Sequence, residues 1–268
     1  MSLTIASWNI NSVRARVARL EAWLADRRPD VLCLQELKCT EEQFPLEAVQ
    51  RLGYHAAVYG QKTYNGVAIL STTPATDVER GLPLPNEEEG EARVLAATVQ
   101  GVRVLSVYAP NGQSVDSPAY QGKLAFYARL RRALDGRYRA EPSLVLCGDF
   151  NVAPEERDVW DPILWEGQTL FSLPERAALK EVVAFGLEDT FRLHHSEPGR
   201  YSWWDYRMLG FPKNRGLRID AIYANHALAV RCEAADIDRE ARKGKLPSDH
   251  APVWARFASQ GLPAVGPP

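Results

Sequence analysis

Leu144-Val145-Leu146-Cys147-Gly148-Asp149-Phe150-Asn151 is the stretch from which the architecture can be read. Four apolar residues end at a glycine, the pattern of a buried strand running out into a tight turn. Side chains alternate along an extended chain, so Asp149 and Asn151 are expected on one side of the turn and Phe150 in the core. A carboxylate and a carboxamide then share one small space. The first can take or give a proton; the second can hold a water or a phosphate oxygen without changing charge. Both residue types also hydrogen-bond the turns they sit in, so the rest of the chain must decide between chemistry and turn-making.

Composition narrows the options. With 46% hydrophobic and 25% charged residues over 268 positions, the chain can bury a large core. One domain over 1–258 is expected, followed by a flexible Pro/Gly-rich tail, 259–268. A formal net charge of -2 excludes a globally basic nucleic-acid binder, so any such contact must come from a local patch. Cys33, Cys39, Cys147 and Cys232 lie far apart without a C-x-x-C pair, the pattern of reduced thiols. The start Met1-Ser2-Leu3-Thr4 carries no charged-then-apolar signal, and no window approaches the ~18 apolar residues of a membrane span. A soluble, cytoplasmic, monomeric protein without a membrane partner is the expectation.

Upstream, Leu3-Thr4-Ile5-Ala6-Ser7-Trp8 reads as a strand ending at Asn9. Val13, Val17, Leu20 and Leu24 then recur at helical spacing until Pro29-Asp30 stops the run. Val31-Leu32-Cys33-Leu34 is a second strand, delivering Gln35 and Glu36 at its end. This strand, helix, strand order is that of a layered α/β protein, in which polar residues at strand ends converge on one rim. The runs at 66–71, 94–99 and 102–108 read as further strands, the last two joined by a tight Gln100-Gly101 hairpin. The acidic segment Glu87, Glu88, Glu89 and Glu91 before them reads as a solvated loop. Tyr108, followed by Ala109-Pro110-Asn111-Gly112, places a hydroxyl and the Asn111 amide at the same rim. A helix is expected over 120–134, with Tyr120, Leu124, Tyr127, Leu130 and Leu134 on its buried stripe, and another between Pro174 and Gly186.

Downstream, Tyr201-Ser202-Trp203-Trp204-Asp205-Tyr206 is followed by Lys213, Asn214, Arg215 and Arg218. Aromatic faces next to cations are what base or sugar stacking beside a phosphate backbone needs; one of the two adjacent tryptophans is expected in the core. A strand is expected over 217–223, carrying Asp220 in a largely apolar run, and such an acid requires a partner. His250 in Ser248-Asp249-His250 is the candidate, because a carboxylate fixes the ring orientation a histidine needs to meet a phosphate oxygen or a water. The run Val253-Trp254-Ala255-Arg256-Phe257 reads as a closing strand.

In this order, Trp8-Asn9-Ile10-Asn11, Leu34-Gln35-Glu36, Tyr108-Ala109-Pro110-Asn111, Gly148-Asp149-Phe150-Asn151, Arg218-Ile219-Asp220 and Ser248-Asp249-His250 resemble the exonuclease III family of DNA-repair nucleases. Each short motif is weak alone, but six in sequence are specific, and the resemblance runs from Ile5 to about Phe257. It implies a four-layered α/β sandwich, two mixed β-sheets packed face to face and flanked by helices. It also implies a metal-dependent phosphodiester hydrolase cutting 5′ to abasic sites in duplex DNA and acting as a 3′-to-5′ exonuclease and 3′-end-cleaning enzyme. Glu36 is implied as principal metal ligand, with Asn9 beside it and Asp249 near. Oxygen donors without a cysteine cluster suit Mg²⁺, or Mn²⁺ as substitute. Asp149 would activate water or protonate the leaving oxygen, and Asn151 would orient it. His250, held by Asp220, would contact the scissile phosphate, as would Tyr108 and Asn111. Trp203, Leu217 and Ile219 match the pocket that receives a flipped abasic sugar, and Lys38, Arg215 and Arg218 match strand-backbone contacts. The loop Asp158-Val159-Trp160-Asp161-Pro162 departs from the pattern with a bulky tryptophan and a proline. A same-fold inositol or sphingolipid phosphatase is disfavoured by the segment 203–220, and a non-catalytic RNA-binding regulator by the intact Glu36, Asp149, Asn151, Asp249 and His250.

Overall fold

Alternating apolar side chains give the central strands two buried faces, and those faces define the layers of the computed structural model, which describes residues 2–82, 84, 90–139 and 141–258. Among these, the first sheet runs β11 (Cys232–Ile237), β12 (Val253–Ala258), β1 (Ser2–Asn9), β2 (Val31–Gln35), β4 (Val67–Ser71) and β3 (His55–Tyr59). The second runs β5 (Thr76–Arg80), β6 (Val94–Val99), β7 (Val102–Tyr108), β8 (Leu144–Asp149), β10 (Asp220–Asn225) and β9 (Leu187–Asp189). Both sheets are mixed: β1 and β2 are parallel, as are β7 and β8, and the other pairings are antiparallel.

Ile5, Cys33 and Ile69 of the first sheet meet Ala97, Val104, Val145 and Ile222 of the second in a central core. The next residues along each strand point the other way. Trp8, Leu32, Leu34 and Leu70 pack under the helix Val17–Arg27 through Leu20, Trp23 and Leu24, while Leu105, Leu146 and Tyr223 pack under the helices Pro118–Ala133 and Leu173–Val183. Three apolar interfaces therefore separate four layers, helix, sheet, sheet, helix.

Where the elements depart from the sequence reading, the cause is local. The first helix opens with a 3-10 turn, Arg14–Arg16, so its regular part begins at Val17. Lys123 and Phe126 are buried on the helix Pro118–Ala133, whereas Leu124 is only half-buried. The strand expected over 217–223 begins at Asp220, because Leu217 bridges to Val159 and Trp203 and so turns toward a separate cluster. The tail 259–268 and residues 87–89 of the acidic segment lie outside the described residues; Glu91 is exposed and paired with Arg93. No helix among the described residues is long and apolar enough to cross a membrane.

The parallel pairs decide where chemistry can occur. β1, β2, β7 and β8 all run toward the same edge, bringing Asn9, Glu36, Tyr108 and Asp149 there. The antiparallel β10 and β12 start at that edge, bringing Asp220 and His250. In β8, Gly148 adopts φ +146°, and a Cβ there would stand 1.8 Å from the Val107 carbonyl oxygen on β7. Gly148→Ala is therefore expected to lower unfolding free energy by about 3 kcal/mol or more. Denaturant unfolding checks this; a variant within about 1 kcal/mol of wild type would contradict so close an approach.

Candidate active site

Three adjacent strands of the second sheet place a row of polar side chains along the rim. Tyr108 on β7 is in register with Asp149 on β8, and Asp149 with Asp220 on β10. Two carboxylates directly opposite each other on neighbouring strands repel, and His250 resolves the conflict. Its Nδ1 lies 2.9 Å from Asp220 Oδ2 and its Nε2 3.7 Å from Asp149 Oδ2. Burial works against protonation of this ring, but the Asp220 and Asp149 carboxylates outweigh it and push His250 up to about 10.

The first sheet supplies the other half. Asn9 Nδ2 donates to Glu36 Oε1 and to Asp149 Oδ2, each at 2.9 Å, so one buried amide ties the two sheets together. Burial pushes Asp149 up to about 7; Asp220 and Glu36 add to this, while His250 and the Asn9 amide oppose it. Burial would also raise Glu36, but Lys38 at 2.9 Å from Oε2, with Asn9 and His250, holds it below the usual carboxylate range. The Tyr108 hydroxyl is pushed up by burial and by the neighbouring Glu36 and Asp149, so it stays protonated.

After Asp149 the chain does not remain extended. Asn151 adopts φ +51°, and its backbone N–H donates to Asp149 Oδ1 at 2.8 Å. This turn still leaves Phe150 fully buried and puts the Asn151 amide beside Asp149, with Nδ2 donating to Ala109 O at 2.9 Å. Asn111 is exposed at the rim, and its Nδ2 donates to Asn151 Oδ1 at 3.2 Å.

Ligand atoms of Glu36, Asp149 and His250 all lie within 4.8 Å of one another. Two carboxylates this close, one of them fully buried, form an oxygen-donor pair that suits a hard divalent cation. Of the expected ligands, Glu36 belongs to this group and Asn9 touches it. Asn9 turns its NH₂ toward the carboxylates, and its Oδ1 accepts from Asn11 N. Asp249 is engaged by Asn11 Nδ2 at 2.8 Å and Trp203 Nε1 at 3.0 Å, and with His250 these donors keep it below the usual carboxylate range despite burial.

The expected DNA contacts divide. Arg215 is exposed, with its guanidinium 4.8 Å from the Trp160 ring. Trp203 is half-buried beside Trp160, Trp165 and Asn111 around a cavity of about 820 Å³, while Trp204 is the core member of the pair. Leu217 and Ile219, by contrast, are covered by Val159, Leu170 and Phe171 and form the floor of a satellite core, not an open pocket wall. Arg218 is also withdrawn from the surface: Nε is 2.6 Å from Asp158 Oδ1 and Nη1 2.8 Å from Asp189 Oδ2. Lys38 folds back onto Glu36 and Asn11. For Leu217, Ile219, Arg218 and Lys38 alike, the sequence shows a cation or an apolar residue but not its distant partner.

Several residues support the rim through hydrogen bonds that the motifs alone do not assign. Ser202 Oγ accepts from the N–H groups of Ile219 and Asp220, and Ser248 Oγ donates to Asn9 O while accepting from His250 N. Gln35 joins Ser7 on β1 to Ser106 on β7, stitching the sheets just below the rim. A polar residue inside an apolar strand, as Ser7, Gln35 and Ser106 each are, was the available signal.

A sequence model of the Endonuclease/Exonuclease/phosphatase family matches residues 6–250. The chain is 37% identical over 266 residues to exodeoxyribonuclease III of Haemophilus influenzae, covering 94% of this chain and 98% of that one. Its structure is similar to that of a 3′ phosphatase from Neisseria bound to a product DNA hairpin, with TM-score 0.92 and 42% identity over 96% of this chain and 100% of that one. It is also similar to an AP endonuclease from Archaeoglobus fulgidus, with TM-score 0.91 and 37% identity over 96% of this chain and 100% of that one.

Asp158, fully buried, balances Arg218 and also pairs with Arg192. Removing it leaves two guanidiniums short of a counter-charge beneath the aromatic segment. Asp158→Ala is expected to cost about 3 kcal/mol or more of unfolding free energy, read from urea denaturation; a loss below about 1 kcal/mol would show that the network does not hold this region.

Proposed function

We propose, on the premise that this chain belongs to the endonuclease/exonuclease/phosphatase family, that it is a metal-dependent DNA-repair nuclease that hydrolyses phosphodiester bonds in duplex DNA. It incises 5′ to abasic sites and clears nucleotides or blocking groups from 3′ ends, acting as a cytoplasmic monomer with Mg²⁺, or Mn²⁺ in its place. The observation that carries this reading is the convergence of Glu36, Asp149 and His250 within 4.8 Å at an edge shared by both sheets. The names of similar proteins, an exodeoxyribonuclease III, a 3′ phosphatase bound to DNA and an AP endonuclease, support the substrate class.

A phosphodiester repels nucleophiles, so its oxygens must be neutralised, a water readied, and the leaving oxygen stabilised. Glu36 and Asp149 are the residues that would hold the cation, which when bound neutralises phosphate charge and acidifies a water. His250, cationic at neutral pH, presents its Nε2–H to a phosphate oxygen while Asp220 fixes the ring through Nδ1. Asp149, held by the Asn9 amide and 3.7 Å from His250 Nε2, is placed to take a proton from water or return one to the leaving oxygen. The amides of Asn151 and Asn111 and the protonated Tyr108 hydroxyl orient the phosphate without adding charge. The cavity beside Asn111, edged by Trp160, Trp165 and Trp203, takes the sugar or base next to the scissile bond, and Arg215 at Trp160 meets the strand backbone.

The test is direct: a duplex with a synthetic abasic site, and a hairpin with a 3′-phosphate, are each incubated with the protein plus Mg²⁺ or plus chelator. Cleavage only with metal is expected. Release of phosphate from inositol or sphingolipid head groups with intact DNA, or RNA retention without cleavage, would overturn the proposal. Glu36→Ala and Asp149→Asn should each lower kcat by roughly 10²- to 10⁴-fold while duplex affinity, read by fluorescence anisotropy, changes little. Parallel losses in affinity and turnover would contradict the assigned roles.

A further inference from the structure

Lys123 lies on the helix Pro118–Ala133 with no exposed surface. An ammonium has three N–H donors, and three acceptors surround it. Its Nζ donates to Asn111 O at 3.1 Å, to Asn151 O at 2.7 Å and to Glu175 Oε2. Glu175, equally buried on the helix Leu173–Val183, uses its Oε1 to accept from Ser172 N and Ser172 Oγ, each at 2.8 Å. Every donor of the ammonium and both oxygens of the carboxylate are therefore satisfied.

Joining two helices does not require such a pair, since apolar residues of similar volume often stabilise a fold as well as a buried ion pair does. Gripping two main-chain carbonyls does require a donor. The carbonyls gripped belong to Asn111, in the loop after β7, and Asn151, in the turn after β8. One helical turn further on, the Tyr127 hydroxyl donates to Phe150 O, so side chains four apart on one helix hold consecutive carbonyls of the turn that follows Asp149. The same turn holds Asn151 at φ +51°, a conformation that few residues adopt unaided.

We infer that Lys123, neutralised by Glu175, is a positioning residue that locks the loop after β7 to the turn after β8, fixing the Asn111 and Asn151 amides relative to Asp149. The inference rests on the nuclease reading of the rim. Lys123 touches no substrate; its effect passes through the two backbone carbonyls, and an error of about 1 Å in such placement can cost on the order of 100-fold in rate.

The experiment compares the full-length wild type with Lys123→Met and with the charge-balanced double variant Lys123→Met/Glu175→Gln, assayed with Mg²⁺ on the 3′-phosphate hairpin. The folded variants are expected to lose about 100-fold in kcat with KM within roughly threefold. A folded double variant with wild-type kcat, or with a loss confined to KM, overturns the inference. So does failure of both variants to fold, because the pair would then be a requirement of the fold and not of the site. Side-chain amide NMR signals of Asn111 and Asn151 give a readout independent of turnover. Signals displaced from free-amide positions are expected in the wild type, moving toward those positions in the double variant; unchanged signals would refute the tie. A wild type that cuts no DNA sinks the nuclease reading alone and leaves the NMR comparison to judge the lock.

Discussion

An imidazolium set between two carboxylates is the constraint on which the rim depends. Asp149 and Asp220 are cross-strand partners on β8 and β10, so the geometry of the second sheet forces like charges together. The cation that offsets them comes from the first sheet, where His250 just precedes β12. Electrostatic balance at the rim therefore requires both sheets to be docked. Their docking and the assembly of the site are one event.

The remaining contacts between the sheets follow the same division. Away from the rim the interface is apolar, made by Ile5, Cys33, Ile69, Val104, Val145 and their neighbours. This part supplies association without direction. Near the rim, Asn9 to Asp149 and Gln35 to Ser106 supply the direction. A buried hydrogen bond contributes little net stability, but a missing one is costly. A slip of one sheet over the other would leave several of these groups unpaired at once, which restricts the carboxylates to one mutual arrangement.

A second tier of polar groups supports the first from the helical layer and from beneath the aromatic segment. Lys123 and Tyr127 hold the turn after Asp149 from one side. On the other, Asp158 and Asp189 hold Arg218, and Ser202 accepts from the backbone of Ile219 and Asp220. These groups lie behind the rim, most of them buried. They set where the groups at the rim stand, which is why the cavity edged by Trp160, Trp165 and Trp203 opens beside Asn111 while Leu217 and Ile219 lie beneath it.

What the amino-acid order determined by itself was local: the strand running into Gly148, the strand, helix, strand order from Leu3 to Leu34, the polar residues at strand ends, and, through six short motifs, the family architecture. Strand periodicity and turn chemistry act over a few residues, so they are legible without coordinates. Tertiary structure decided which polar groups face outward and which are already engaged. Arg218 and Lys38 look like free cations in the sequence, yet each is paired in the fold; Lys123 sits among apolar residues of a helix, yet it bonds to two loops 12 and 28 positions away. Partners that distant are chosen by the packing of whole layers, and no local pattern encodes that choice.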